Sequence, residues 1–287
     1  MSTFASRALS SHPRLRLTAL LTAPVLWLGL VYIVALAALL ITALWTVNAY
    51  TGQVEMTWTL DNILAVATGS LYRTVTLRTL GIAILVTVID VIIAVPIAFT
   101  MAQIASPRAK RYLTIAILAP LWASYLVKVY AWRSLLSSEG LIQWVLSALG
   151  GQTPGYGIVG VVLALAYLWL PYVILPIQAG FERIPSRLLE ASSDLGAHSW
   201  TTFRTVMLPL IWPSIVAGSV FSFCLSLGDY ITVGIVGGST QMLGNLVYTN
   251  VGSANNLPMA AAIALIPILI VFIYLAIVRR VGALDKI

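Results

Sequence analysis

The chain has 287 residues, 60% of them hydrophobic and 9% charged, with a mean hydropathy of +0.98. Soluble globular domains are about half apolar and about a quarter charged, so this composition excludes them and indicates a membrane protein. The formal net charge of +7 is spread over the flanks of apolar runs without a basic stripe, which excludes a nucleic-acid partner.

Residues 1–17 form a Ser- and Arg-containing tail. The apolar run over 18–47 is longer than the roughly 7–15-residue core of a signal peptide and is predicted to persist as a first span. Five more runs follow, at 75–103, 112–136, 158–180, 211–236 and 258–278. Each is long enough to cross about 30 Å of hydrocarbon as a helix, which satisfies its own backbone groups where water is absent. The runs are continuous and lack period-two alternation, which argues against a β-barrel. The predicted fold is all-α: a polytopic membrane protein with six transmembrane helices in one domain over 18–279, closed by a short tail, 280–287.

Basic residues set the orientation. With the N-terminus in the cytoplasm, Arg7, Arg14 and Arg16, then Arg108, Lys110 and Arg111, then Arg183, Arg187 and Arg204, then Arg279, Arg280 and Lys286 all lie inside. Only Arg73, Arg78, Lys128 and Arg133 do not, so the positive-inside rule gives an N-in/C-in topology.

The external segment 48–74 carries turn and polar residues, and its amphipathic stretch Trp58–Val66 is predicted to form a short helix on the membrane surface. Pro96 is expected to kink the second span, and Ser106-Pro107 to end it. The Gly-rich segment 137–157 is predicted as turns around a short helix near Leu141–Leu149. No internal repeat is present. Cys224 lies within a span, so no disulfide can form within the chain. His12 and His198 stand apart with no metal-binding spacing, so neither a metal site nor a catalytic residue is expected.

The cytoplasmic segment 181–210 is a polar island between two spans. Pro185-Ser186 reads as a helix start with Ser186 as cap, and Leu188, Ala191 and Leu195 recur at helical spacing as an apolar stripe. Gly196 is expected to end this helix. Ser199 then caps a second one toward Leu208, with Pro209 and Pro213 breaking or bending the chain as it enters the fifth span.

Within the island, Glu190, Ala191, Gly196, Leu208 and Pro209 match the spacing E-A-A-x3-G-x9-I-x-L-P, with Ser192 for the second Ala and Val206 for the Ile. This pattern resembles the signature of the membrane subunits of binding-protein-dependent ABC importers. The resemblance implies that the island is a coupling helix docked on a separate ATPase dimer, with Glu190 pairing to it and Gly196 allowing a tight turn or close approach. It also implies a second permease subunit, a paralogue or a second copy, together with an external solute-binding protein that carries most of the specificity. The location implied is the bacterial inner membrane. ATP and Mg would be bound by the partner, since the chain has no G-x4-G-K-[ST] and Gly237-Gly238-Ser239-Thr240 lacks the Lys.

Leu118–Trp132, Leu175-Pro176, Ser226–Ile231 and Gly237-Gly238 are similar to segments of the spermidine/putrescine permease branch. That resemblance implies a polyamine as solute. Relatives for amino-acid derivatives, thiamine, phosphonates and iron keep those alternatives open.

The residues add candidates for a solute pathway. Ser219, Ser222, Ser226, Asp229 and Thr232 form a polar stripe at helical spacing, which fits a pathway or interhelical hydrogen bonding. Asp229, expected near the outer end of the fifth span, is joined by Asp90 in the second, since charges within spans usually face a bundle interior or a pathway. Asp90 reads equally as a buried structural carboxylate. Lys128 would repel a cation unless it pairs with Asp229 or Asp90 or snorkels outward. Trp122, Tyr125, Tyr130 and Trp132 can hold an amine by cation–π contact or anchor the span at the interface. An ion-coupled secondary transporter, with Asp90, Asp229 and Lys128 as a relay, is the alternative from another class; an enzyme has no supporting motif.

Overall fold

A computed structural model of the protein describes residues 13–48 and 50–280. The expected tails lie outside them, apart from 13–17, which open the first helix, and Arg280, which ends the last.

Helix α1 (Pro13–Thr42) stands away from the bundle. Leu26, Trp27, Tyr32 and Ile33 point to different sides of it, yet each is 64–69% exposed. Only its external end is anchored, where Leu39 and Ala43 join Val66, Ala262 and Ile263. The chain then makes a two-stranded antiparallel hairpin, β1 (Thr46–Val47) with β2 (Val54–Glu55), pairing Thr46 with Glu55 and Val47 with Val54. Sequence patterning gave only a loop here, because strands of two residues show no alternation to detect. Helix α2 (Asp61–Thr68) starts later than the predicted helix. It is packed into the bundle through Ile63 and Val66 instead of lying free on the surface.

Helix α3 (Ser70–Phe99) forms the second span and begins five residues before the predicted 75–103. Pro96 lacks an N–H and disturbs the ladder, and the helix widens into a π-turn over Thr100–Ile104. Thr100 Oγ1 donates to the Pro96 carbonyl at 2.8 Å.

The third span, predicted as one helix over 112–136, is broken. Helix α4 (Pro107–Trp122) and α5 (Tyr125–Leu136) are separated by Ala123 and Ser124, both extended, and the chain turns by 96° from α4 to the segment Tyr125–Ser147. Pro120 takes one backbone donor from the last turn of α4, where Ala123 N–H closes instead on the Pro120 carbonyl at 3.3 Å. Helix α6 (Leu141–Ser147) follows as expected.

Helix α7 (Ile158–Glu182) is the most buried span and agrees with the predicted 158–180. Helices α8 (Ser186–Asp194) and α9 (Ser199–Thr202) make up the island, and α9 runs through a π-turn at Phe203–Met207 into α10 (Leu208–Leu227). Pro209 stands just after this π-turn, and with Pro213 it lies inside a helical run that continues unbroken from Ser199 to Leu227, so neither proline breaks the chain. Pro185 and His198, not Ser186 and Ser199, occupy the caps, and neither makes a side-chain cap.

The fifth span, predicted over 211–236, stops at Leu227. Gly228, Asp229 and Tyr230 separate α10 from α11 (Ile231–Val236). Glycine weakens the helix, and the Asp229 carboxylate accepts from Thr232 N–H at 2.8 Å, so the side chain competes with the helical ladder. Helix α12 (Leu243–Val251) and the last span α13 (Leu257–Arg280) complete the chain.

Among the described residues, five helices are long and apolar enough to span a membrane, and six if the bent pair is counted as one span. Helices α3, α7 and α10 pack on one another at the centre. One apolar cluster joins Val86, Val161, Leu165, Val233 and Met242 toward the external side. A second joins Ala98, Met101, Ile177, Phe181, Met207 and Ile211 beneath the island. Small residues let the helices approach: a Cβ on Gly218 would stand 3.1 Å from the Val173 backbone.

Candidate functional site: the coupling helix and the broken-span pocket

At the cytoplasmic end, α8 is held by one face. Leu189 packs on the lower cluster, and buried Ser192 shares a 2.8 Å hydrogen bond with Thr202 Oγ1. The Ser that departs from the family pattern thus ties α8 to the segment leading into α10. Gly196 takes φ +74°, and Ala197 N–H closes on the Ser192 carbonyl at 3.1 Å, a left-handed helix end that favours glycine. Nothing lies within 4 Å of a Cβ placed there, so within the chain Gly196 serves the turn and no close approach.

The predicted stripe is on one face, but it is not the face turned to the bundle. Leu188, Ala191 and Leu195 are exposed, Leu195 by 88%, as is Trp200 by 68%. Glu190 is exposed as well, whereas Leu208 and Pro209 sit at the start of α10. The base of the island is pinned by Lys110 Nζ to Glu182 Oε1 at 2.8 Å, by Gln178 Nε2 donating to Glu182 Oε1 at 2.7 Å, and by Gln103 Nε2 donating to the Phe181 carbonyl at 2.8 Å.

The polar stripe is divided by the break after Leu227. Ser219 is shared with Tyr274 OH at 2.8 Å. Ser222 donates to Asp90 Oδ2 at 2.5 Å, and both are fully buried, joining α10 to α3. Asp90 Oδ1 and buried Ser226 Oγ make no hydrogen bond among the described residues.

Beyond the break, Asp229 is 7% exposed. Its Oδ2 accepts from the Tyr125 hydroxyl and, at 3.1 Å, from Thr232 Oγ1, while Tyr125 OH and Thr232 Oγ1 are 2.6 Å apart. The break places Asp229 beside an open cavity of about 270 Å³, lined by Tyr125, Trp169, Leu225, Gly228, Tyr230 and Ile231. Trp169 stacks on Tyr125 with centroids 6.0 Å apart, and Tyr230 stacks on Tyr248 at 5.0 Å.

Of the sequence candidates, Tyr125 and Asp229 come together. Asp90, Ser222 and Ser226 lie along the buried face of α3 and α10, and Trp122 is 83% exposed at the end of α4, outside the pocket. Lys128 pairs with neither Asp229 nor Asp90, since the ion pair between Lys110 and Glu182 is the one found among the described residues. Trp169 was not among the sequence candidates. Its signal was the aromatic set Tyr167, Trp169 and Tyr172 within an otherwise aliphatic span. No group of residues suited to a metal ion occurs among those described.

Residues 77–283 match the family described as binding-protein-dependent transport system inner membrane component. The chain is 43% identical over 291 residues to the inner membrane ABC transporter permease protein YdcU of Escherichia coli (strain K12), covering 96% of this chain and 93% of that one. It is 30% identical to the spermidine/putrescine transport system permease protein PotB of Haemophilus influenzae, over 71% of this chain and 74% of the relative. Among solved structures, a chain of a bacterial alginate ABC transporter in complex with its alginate pentasaccharide-bound periplasmic protein superposes with a TM-score of 0.71. The match has 14% identity and covers 91% of this chain and 92% of that one. The exposed helix α8, the spacing around it and these matches agree: the chain belongs to the binding-protein-dependent transport system inner membrane components and is a multi-pass inner-membrane permease subunit of an ABC importer.

Proposed function

We propose that this permease passes a polyamine, spermidine or putrescine, delivered by an external binding protein. The observation that carries the reading is the Asp229 carboxylate set beside a cavity walled by Tyr125, Trp169 and Tyr230. A carboxylate attracts an ammonium by charge, and aromatic faces attract it through their quadrupoles by about 0.5–2 kcal/mol each. One ammonium of an alkyl amine is thereby met by Asp229 and the methylenes next to it by the rings. The similarity to spermidine/putrescine permeases supports the same solute class.

Energy comes from a separate ATPase dimer that binds ATP and Mg and takes hold of α8. The exposed Glu190, Leu188, Ala191 and Leu195 face away from the bundle as a docking surface requires. Movement of α8 passes through Ser192–Thr202 and the π-turn into α10, and so to the break that holds Asp229. A second permease subunit, a paralogue in this reading, completes the pore, and the uncovered middle of α1, with Leu26, Trp27, Tyr32 and Ile33, contacts it or lipid.

The test is uptake of radiolabelled spermidine by cells with and without the gene, competed by putrescine, amino acids, thiamine and phosphonates. Loss of uptake on deletion, restored by the intact gene, is expected. Unchanged uptake in a strain lacking other polyamine systems overturns the polyamine assignment and leaves the importer class standing.

A further inference from the structure

Two spans of this bundle are broken, and one polar cluster joins the two breaks. Tyr125 is the first residue of α5, immediately after the break in the third span. Asp229 lies in the break of the fifth, and Thr232 is in the first turn of the α11 helix that follows. Tyr125 donates to Asp229 Oδ2, Thr232 Oγ1 touches both, and Thr232 N–H donates to Asp229 Oδ1 at 2.8 Å. Apolar packing runs on from this cluster, with Val129 and Leu136 of α5 and Val233 and Val236 of α11 in one core. Trp169 of α7 backs the Tyr125 ring.

The carboxylate beside the cavity is therefore already occupied. Its donors from Thr232 are local to the α11 turn, and the hydroxyl of Tyr125 is the one that reaches it from another span. The same tyrosine lines the cavity next to Asp229. With the backbone N–H groups of Thr232 and Val233 and the Thr232 hydroxyl also on the carboxylate, its acceptor sites are filled, so a solute ammonium that binds Asp229 displaces the Tyr125 hydroxyl, the donor from another span. Occupation of Asp229 and contact between the broken spans then exclude each other.

We propose that Tyr125, Asp229 and Thr232 form a latch that holds the two broken spans together at the external end of the bundle and is released when a cationic solute replaces the Tyr125 hydroxyl on Asp229. The inference rests on the amine reading only for the identity of the group that releases the latch. Tyr125 and Thr232 are positioning residues in it. The helix breaks are the hinges: Ala123 and Ser124 on one side and Gly228 on the other let α5 and α11 shift against the spans they follow without bending a continuous helix.

The chain carries its own reporter. Cys224, half-buried and the single cysteine of the sequence, lines the same cavity. The experiment uses the whole complex, permease pair and ATPase, in lipid nanodiscs, with Tyr125→Phe and Thr232→Val. It measures ATP hydrolysis without binding protein, and the rate at which a charged methanethiosulfonate reagent added from the external side modifies Cys224, located by mass spectrometry. Loss of a hydrogen bond to a charged group shifts a two-position equilibrium by about tenfold. Both variants are accordingly expected to hydrolyse ATP several-fold faster without binding protein, and to label at Cys224 several-fold faster than wild type. A merely structural contact would lower assembly and ATP hydrolysis together. That result, or wild-type basal hydrolysis and labelling in both variants, overturns the latch. Spermidine added to the wild-type complex is expected to raise the labelling rate, whereas a neutral diol of the same length leaves it unchanged. If the variants respond but spermidine does not, the latch stands and the amine reading fails; if spermidine is transported but the variants behave as wild type, the latch fails and the amine reading stands.

Discussion

Glu190 and Asp229 are the residues at which the proposed function is open to test, one at each end of the molecule. Glu190 is exposed on α8 and makes no ion pair among the described residues, so its removal leaves no buried group unpaired and folding should be indifferent to it. Glu190→Ala is expected to insert and assemble normally, while uptake falls by about tenfold or more at equal expression, as loss of a charge-assisted contact of about 1.4 kcal/mol or more requires. Wild-type uptake by that variant would remove Glu190 from the docking surface. Asp229 is nearly buried and satisfied by Tyr125 and Thr232. Asp229→Asn keeps the shape and the ability to accept from Thr232 N–H but loses the charge. Its uptake of a dicationic or tricationic amine is expected to drop by about tenfold or more, because a neutral amide loses the charge assistance of a carboxylate. Detergent-solubilised thermal stability, which reads the fold alone, should move little by comparison.

Among the elements, α7 and α10 are the pair on which the bundle depends, and their distance is set by small residues. Gly218 faces the backbone of Val173, and a helix backbone cannot yield as a flexible side-chain end can. Gly218→Leu is expected to destabilise the bundle by about 1–3 kcal/mol through overpacking, read as an earlier unfolding transition in detergent. Gly81, with nothing within 4 Å of an added Cβ, is the control: Gly81→Ala should unfold at or above the wild-type temperature. Equal effects at the two glycines would show that close helix approach is not what Gly218 provides. The two π-turns, Thr100–Ile104 and Phe203–Met207, lie at the same end of the bundle, with Met101 and Met207 in one cluster.

At the scale of the whole molecule, the chain presents surfaces that it does not cover itself. Helix α1 leaves Leu26, Trp27, Tyr32 and Ile33 uncovered, the stripe of α8 faces away from the bundle, and the wall of the Asp229 cavity is open. An isolated copy is therefore an incomplete transporter. An importer driven by a partner ATPase loses uptake when cellular ATP is depleted and keeps it when a protonophore collapses the ion gradient at maintained ATP. An ion-coupled carrier does the reverse, and uptake surviving ATP depletion would return Asp90, Asp229 and Lys128 to consideration as a relay.

Much of this was legible before any coordinates. Composition and run length are enough for a polytopic helical membrane protein, because hydrocarbon demands about twenty apolar residues per crossing and leaves few other backbone solutions. The spacing from Glu190 to Pro209 was enough for the island, since a short helix, a left-handed glycine and the return into a span are local events. What escaped were events decided between elements. Whether Gly228 and Asp229 continue a helix or interrupt it depends on Tyr125 and Thr232 being present to receive the carboxylate, and Tyr125 is 104 residues away. The break after Trp122 has no charge beside it, since Lys128 and Arg133 of that run stand beyond it, and the inward face of α8 is chosen by the cluster beneath Leu189, not by its own most apolar stripe. Hydropathy measures transfer of each residue into a uniform solvent. The tertiary structure alone decided which polar groups meet inside that solvent, and so where the spans break and which carboxylate stands beside the cavity.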